Sequence, residues 1–313
     1  MNYIVLDLEW NPCPGGKEQE NKRMPFEIIE IGAVKLNALL QPIDTFQTTI
    51  SPRVYHDIHF KVKEMTNITM DTLHGSPNFK TAIHTFLDWC GEDYRFCTWG
   101  SMDLTELQRN MQYYKIRRPL YKPLIYYNIQ KLYWFSQEDP TKTMSSLAAA
   151  IEQFGLTQDV SFHRALNDAH YTGEVMRRID FNKWSVYYSI DCYYAPASKQ
   201  ETITAHFPTY TKYVSQTFSS SEFAMRNRTV KAMTCHICGK PMHITVPWFM
   251  HHQRVYYGAA VCLEHGMHRC KVKLCKTPNG RLYAVKVTVP ATEAEYHDII
   301  EKHTSVKEKR KKT

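Results

Sequence analysis

No apolar run among the 313 residues approaches the ~20 needed to span a bilayer. The N-terminus has no basic region ahead of an apolar one and no small-residue cleavage site. The chain is therefore expected to be unprocessed and cytoplasmic, with no membrane partner. No internal repeat is found. The nine cysteines are odd in number, and Cys13, Cys90, Cys97 and Cys192 are scattered, which argues against a disulfide framework. A surplus of positive charge is missing from most of the chain. Residues 1–230 hold 24 Lys+Arg against 25 Asp+Glu, and residues 231–313 hold 15 against 6, out of totals of 39 and 31. A near-neutral body thus carries a basic C-terminal part suited to a polyanion.

What is present begins with Tyr3–Asn11, YIVLDLEWN. Ile4, Val5, Leu6 and Leu8 suit a buried strand. Asp7 and Glu9, two apart, project from one face of it. Two like charges side by side in a core need a positive partner, and a hard divalent metal is the usual one. Further strands are expected at 26–37, 44–50, 94–99 and 123–129. The segment 53–75 reads as helical or irregular. Amphipathic helices are expected at 78–90, after Ser101 as cap, at 145–155 up to Gly155, and at 164–179. The helix after Ser101 has a Leu104, Leu107, Met111 stripe and carries Asp103 in its first turn. The fold class is α/β: a five-stranded mixed sheet flanked by helices.

Asp103 alone reads as a first-turn helix residue, and His163 alone as a loop histidine. Asp7-x-Glu9 at a strand end, Asp103 after the fourth strand and H-R-A-L-N-D (163–168) at a helix start read differently together. In an open α/β sheet, ligands gather beyond the carboxyl ends of strands. On these residues the chain resembles the DEDDh family of 3′–5′ exonucleases, the DnaQ-like branch of the ribonuclease-H-like superfamily. Asp7 and Glu9 match its first motif and Asp103 its second. His163, Ala165, Asp168 and Ala169 match the third, His-x-Ala-x-x-Asp-Ala. IEIGAV (29–34) is similar to the family's second strand, and MTNIT (65–69) to a segment that wedges between the last bases of the 3′ end. Asn67 stands where the family commonly has Gly. The resemblance covers about residues 1–180.

The resemblance implies catalytic residues Asp7, Glu9, Asp103, His163 and Asp168. The four acids would hold two Mg²⁺ or Mn²⁺ ions, and His163 would take a proton from the attacking water. It also implies that Met65, Thr66 and Ile68 touch the substrate. Trp10 and Trp99 would stack on terminal bases, or equally sit in the core. The partner is a nucleic acid with a free 3′ end, RNA or DNA. A second copy of the chain or another protein is a further class of partner. The alternative is a non-catalytic nucleic-acid- or protein-binding regulator on the same scaffold.

The other five cysteines crowd between 235 and 275. Cys235-x-x-Cys238 and Cys262-x-x-His265 are each followed by Gly, and two such pairs make a closed set for one structural Zn²⁺. His268, Cys270 and Cys275 are rivals for the fourth ligand. Strand-like segments at 243–249 and 254–261, and a hairpin turning at Asn279-Gly280, give a zinc-ribbon-like module. No His-x-Glu precedes the Cys-x-x-Cys, which excludes a zinc deaminase. The basic stretches 113–122 (Lys115, Arg117, Arg118, Lys122) and 269–276 (Arg269, Lys271, Lys273, Lys276) interleave cations with aromatic or apolar residues, as single-strand binding surfaces do. The expected domains are 1–180, the nuclease; 181–230, a linker or packed extension; 231–290, the zinc module; and 291–313, a short helix and a basic disordered tail.

Overall fold

The computed structural model describes residues 1–117, 120, 122–138, 143–156 and 163–311. It divides into two units, Met1–Asp191 and Cys192–Thr313. Of the basic stretch 113–122, Arg118, Pro119 and Tyr121 lie outside the described residues.

The first unit runs β1 (Asn2–Pro12), β2 (Phe26–Leu36), β3 (Pro42–Thr49), α1 (Phe60–Thr66), α2 (Phe79–Cys90), β4 (Tyr94–Thr98) and α3 (Met102–Tyr113). It continues with β5 (Leu124–Asn128), α4 (Ile129–Ser136), α5 (Leu147–Gln153), α6 (Ala165–Arg178), α7 (Phe181–Trp184) and β6 (Ser189–Asp191). The strands form one mixed sheet in the order β3-β2-β1-β4-β5-β6. β1 is antiparallel to β2 and parallel to β4. β6, antiparallel to β5, is a sixth strand beyond the five expected. It is three residues long, too short to show an alternating pattern.

The period-2 pattern of β1 sets the layers. Ile4, Leu6 and Leu8 are buried in one cluster with Phe79, Ile83, Phe86 and Leu87 of α2 and Leu104 and Leu107 of α3. Each such side chain removed from water contributes about 1.5–3 kcal/mol. Asp7 and Glu9 face the other way. The helices have local causes. Asn78 caps α2 through the Thr81 N–H, and Ser146 caps α5 through the Ala149 N–H. Ser101 sits at the start of α3 but makes no side-chain capping bond, contrary to the expected cap.

The second unit contains β7 (Ile203–His206), β8 (Thr211–Phe218), α8 (Ser221–Arg226), α9 (Arg228–Lys231), β9 (His243–His252), β10 (Val255–Cys262), β11 (Gly266–Lys276), β12 (Leu282–Pro290) and α10 (Glu293–Lys311). Its six strands form an antiparallel sheet, β7-β8-β12-β11-β10-β9. Two expectations are corrected here. Residues 181–230, expected as a linker or packed extension, are instead divided: α7 and β6 belong to the first unit, and β7, β8, α8 and α9 to the second. The tail is not a short helix with disorder after it, because α10 runs to Lys311; Lys312 lies outside the described residues. Tyr296, Ile299, Ile300 and Val306 pack with Val246, Phe249 and Ala259, which holds the helix on the sheet. The buried Lys286 ties α9 to β12 by donating to the carbonyls of Thr229 (2.6 Å) and Ala232 (2.7 Å). Among the described residues no helix is long and apolar enough to cross a membrane.

Candidate functional site

The antiparallel register places Asp7 opposite Gly32 and Glu9 opposite Glu30. These four share one face of the sheet, and the start of α6 lies against it. The absence of a side chain at Gly32 is what permits this approach. A Cβ there would stand 2.0 Å from the Leu166 backbone nitrogen and 2.2 Å from the Ala165 carbonyl carbon. Glu30, fully buried, then fastens the helix start. It accepts from Arg164 Nη2 (2.7 Å) and Nε (3.1 and 3.2 Å), from the Ala165 N–H (3.2 Å) and from Gln47 Nε2 (2.9 Å).

This docking brings Asp168, in the first turn of α6, to β1. Carboxylate oxygens of Asp7, Glu9 and Asp168 all lie within 4.8 Å of one another. Asp168 Oδ2 accepts the His163 N–H at 3.1 Å, while Asp168 Oδ1 is buried with no hydrogen-bond partner. Asp103 is not in this trio. It is buried in the first turn of α3, close enough to Asp7 to repel it, and its carboxylate is held by its own N–H and that of Leu8. His163 is exposed beside Asp168, with its backbone in the left-handed region at φ +64°.

Without a cation the carboxylates cannot all ionise together. Burial, then the charges of Asp103, Asp168, Glu9 and Glu30, hold Asp7 well above the usual carboxylate range. Burial, then Asp168 and Glu30, push Glu9 up to about 8, with Arg164 pulling the other way. Burial raises Asp103 to about 7 against the backbone hydrogen bonds. Asp168 is raised by burial and partly relieved by the N–H and the charge of His163. A buried anionic oxygen with no donor among crowded carboxylates fits a hard divalent cation.

The residues expected at the substrate separate. Met65 is half exposed. Thr66 and Ile68 are buried and offer no such surface. Thr66 Oγ1 donates to the Val62 carbonyl and accepts the Ile68 N–H, and Ile68 packs with Ile29, Ile58 and Leu73. A bulge after Glu9 shifts the register so that Ile29 has no partner on β1 and faces that cluster instead. Asn67 ends α1 at φ +57°, a conformation that Gly and Asn accept most readily, which accounts for Asn at this position. Trp10 is half-buried against Phe26 and the main core, and Trp99 lies 5.9 Å from Tyr133 with its Nε1 unpartnered. Sequence reasoning missed Glu30, Gly32 and Arg164, although IEIG and the Arg of H-R-A-L-N-D were visible. It also missed Asn11, which binds the Asp57 carbonyl and the His59 N–H and so anchors the start of α1 to β1 (both 2.9 Å).

In the second unit, Cys235, Cys238, Cys262 and His265 each offer an atom within 4.8 Å of the others. Cys238 Sγ is 3.8 Å from Cys262 Sγ, and Cys262 Sγ is 3.6 Å from His265 Nδ1. A tetrahedral zinc with arms of ~2.3 Å spaces its sulfur ligands about 3.8 Å apart. Gly239 (φ +70°) and Gly266 (φ +71°) turn the chain after each ligand pair. Burial pushes the Cys262 thiol up, but hydrogen bonds from the Glu264 N–H and from His265 outweigh it and bring it down to about 6. Among the rival ligands, His268 Nε2 lies 3.6 Å from Cys235 Sγ, while Cys270 pairs with Thr288. The basic β11 presents Lys271, Lys273 and Lys276 to solvent, and Arg269 pairs with Glu295 at 3.2 Å.

The chain is similar to known exonucleases. The exonuclease family model (RNase T type) matches residues 4–176. The chain is 27% identical over 175 residues to the PolC-type DNA polymerase III of Clostridium perfringens, covering 56% of this chain but only 11% of that one. It is 24% identical over 183 residues to the probable 3′-5′ exonuclease KapD of Bacillus subtilis, covering 58% of this chain and 86% of that one. Among solved structures, the nuclease domain of 3′hExo, a DEDDh family member bound to rAMP, superposes with a TM-score of 0.52 at 22% identity. That match covers 61% of this chain and 96% of the domain, and is a likeness of fold.

Proposed function

Because the chain belongs to the RNase T exonuclease family, whose model spans more than half of it, we propose that it is a 3′–5′ exonuclease. In this reading it removes terminal nucleotides from single-stranded RNA or DNA with divalent metals. The observation that carries the proposal is the convergence of Asp7, Glu9 and Asp168 within 4.8 Å, with Asp168 Oδ1 buried and unpartnered. Asp7, Glu9 and Asp168, with Asp103 nearby, would hold two Mg²⁺ or Mn²⁺ ions. Bound there, these would supply Lewis-acid activation of water and charge neutralisation at the phosphate and the leaving 3′ oxygen.

The protein's own groups supply the rest. β1 and α6 fix the carboxylates so that no reorganisation is needed as charge develops. His163, exposed beside Asp168, carries an imidazole, the side chain most used as a general base, and takes the proton from the attacking water. The new bond joins the water oxygen to phosphorus, and the bond to the 3′ oxygen breaks. The products are a 5′-mononucleotide and a strand one unit shorter. Met65, Trp10 and Trp99 contact the terminal bases. The Cys235, Cys238, Cys262, His265 set holds one structural Zn²⁺, and the basic strand β11 helps to engage the nucleic acid.

Matched RNA and DNA oligonucleotides labelled at the 5′ end, incubated with Mn²⁺, test the activity. A product ladder shortening from the 3′ end is expected, and its absence on both polymers leaves the binding-regulator alternative. His163→Ala should lose most turnover while keeping metal and substrate binding; an unchanged rate removes the general-base role.

A further inference from the structure

We propose that Glu30, acting through Arg164 and the Ala165 N–H, is a positioning residue that holds His163 where it can accept the proton. The inference rests on the reading of His163 as general base. Glu30 is a fully buried carboxylate in the interior strand β2 and has no place in the chemistry described above. Such a group is costly to bury unless it is well satisfied. Its partners all secure one short stretch of chain, apart from Gln47 on the neighbouring β3. Arg164 meets it with two nitrogens, Nε and Nη2, and the Ala165 N–H donates to the same group. A bidentate fork constrains direction as well as distance.

The stretch so secured is a strained one. His163 has φ +64°, where residues other than Gly, Asn and Asp are rare. Such conformations persist where the surroundings over-determine them, and they cluster at functional sites. Here the constraints act from both sides. Asp168 Oδ2 accepts the His163 N–H, and Glu30 grips the next two residues. α6 also has no cap from its own sequence. Arg164 occupies the cap position without a side-chain capping bond, and Glu30 supplies an anion to the first turn from the neighbouring strand. Because Glu30 lies opposite Glu9, one register fixes both a carboxylate of the acidic cluster and the loop that carries the base.

The test uses the full chain and Arg164→Gln, chosen because Arg164 is 37% exposed and Gln keeps an amide donor for the buried Glu30 carboxylate. Single-turnover cleavage of a 5′-labelled oligonucleotide with Mn²⁺ is measured beside wild type, His163→Ala and Arg164→Lys. Turnover of Arg164→Gln should fall about 10- to 100-fold, the size of loss seen when a group that orients a metal ligand is removed. KM and Mn²⁺ binding should stay close to wild type. Added imidazole should restore part of the lost turnover in Arg164→Gln and in His163→Ala, and none in wild type. Arg164→Lys, which keeps the charge but not the fork, should fall between. Wild-type turnover in Arg164→Gln or Arg164→Lys overturns the proposal, as does a loss that imidazole leaves untouched. If His163→Ala itself is fully active, the general-base reading fails. If His163→Ala is inactive and Arg164→Gln is normal, only the positioning role fails.

Discussion

Asp168 ends in two oxygens with different fates: one accepts the His163 N–H, the other is buried with no partner among the described residues. That asymmetry, beside Asp7 and Glu9, makes two predictions. Asp7→Asn should lower Mn²⁺ affinity and turnover by at least about a hundredfold, since even residues that only support metal ligands typically cost 10–100-fold. Calorimetric Mn²⁺ titration and the cleavage assay check it. The second concerns pH. Glu9 is raised to about 8 and Asp103 to about 7 in the folded chain, against unfolded values of about 4. Between those limits the folded state binds more protons than the unfolded one, so stability without metal falls as pH rises from about 4 to 8. Added Mn²⁺ should therefore raise the melting temperature more at pH 8 than at pH 5. An equal rise at both would contradict the raised carboxylates. At this scale the sequence was informative. Asp7, Glu9, Asp103, His163 and Asp168 were all singled out from their motifs. Glu30 and Arg164 escaped notice because a buried ion pair between distant residues leaves no local signal.

At the scale of elements, β1 and the β2–α6 contact carry the site. Side chains alternate on a strand, so inserting one residue between Asp7 and Glu9 should turn Glu9 to the opposite face and abolish cleavage, with Mn²⁺ affinity reduced alongside. The β2–α6 contact is just as demanding. Gly32→Ala would put a methyl 2.0 Å from the Leu166 backbone nitrogen, which no rotamer change relieves. The helix start must move, at a cost of about 1–3 kcal/mol typical of overpacking. Chemical denaturation should register that loss, and activity should fall further than stability because Asp168 and His163 move with α6. Helices around this contact were legible from apolar periodicity: α2 (Phe79–Cys90) and α5 (Leu147–Gln153) lie within the expected 78–90 and 145–155. β6 and α4 were not, because three residues show no period and Ile129–Ser136 continues directly from a strand.

At the scale of the whole molecule, two units carry different charge. Residues 192–313 hold 19 Lys+Arg against 8 Asp+Glu. Nucleic-acid affinity should accordingly weaken steeply with salt, and Lys271→Glu with Lys273→Glu should flatten that slope while leaving cleavage of the shortest oligonucleotides near wild type. The second unit also has its own proposed metal. A chelator that strips zinc, or Cys235→Ser, should lower the melting temperature of the full chain, with one zinc per chain measured beforehand. No zinc, or an unchanged melting curve, would remove the structural role. The sequence by itself determined the candidate residues: motif spacing decides which acids of β1 share a face and which cysteines share a turn, because strand and turn geometry are local. It also located the basic part. Only the tertiary structure decided where the first unit ends, that residues 192–230 complete a six-stranded sheet, and that Thr66 and Ile68 are buried. It alone brought Glu30 to Arg164 across 134 positions. These depend on pairings between distant segments, whose energy comes from packing and register rather than from any neighbouring residue.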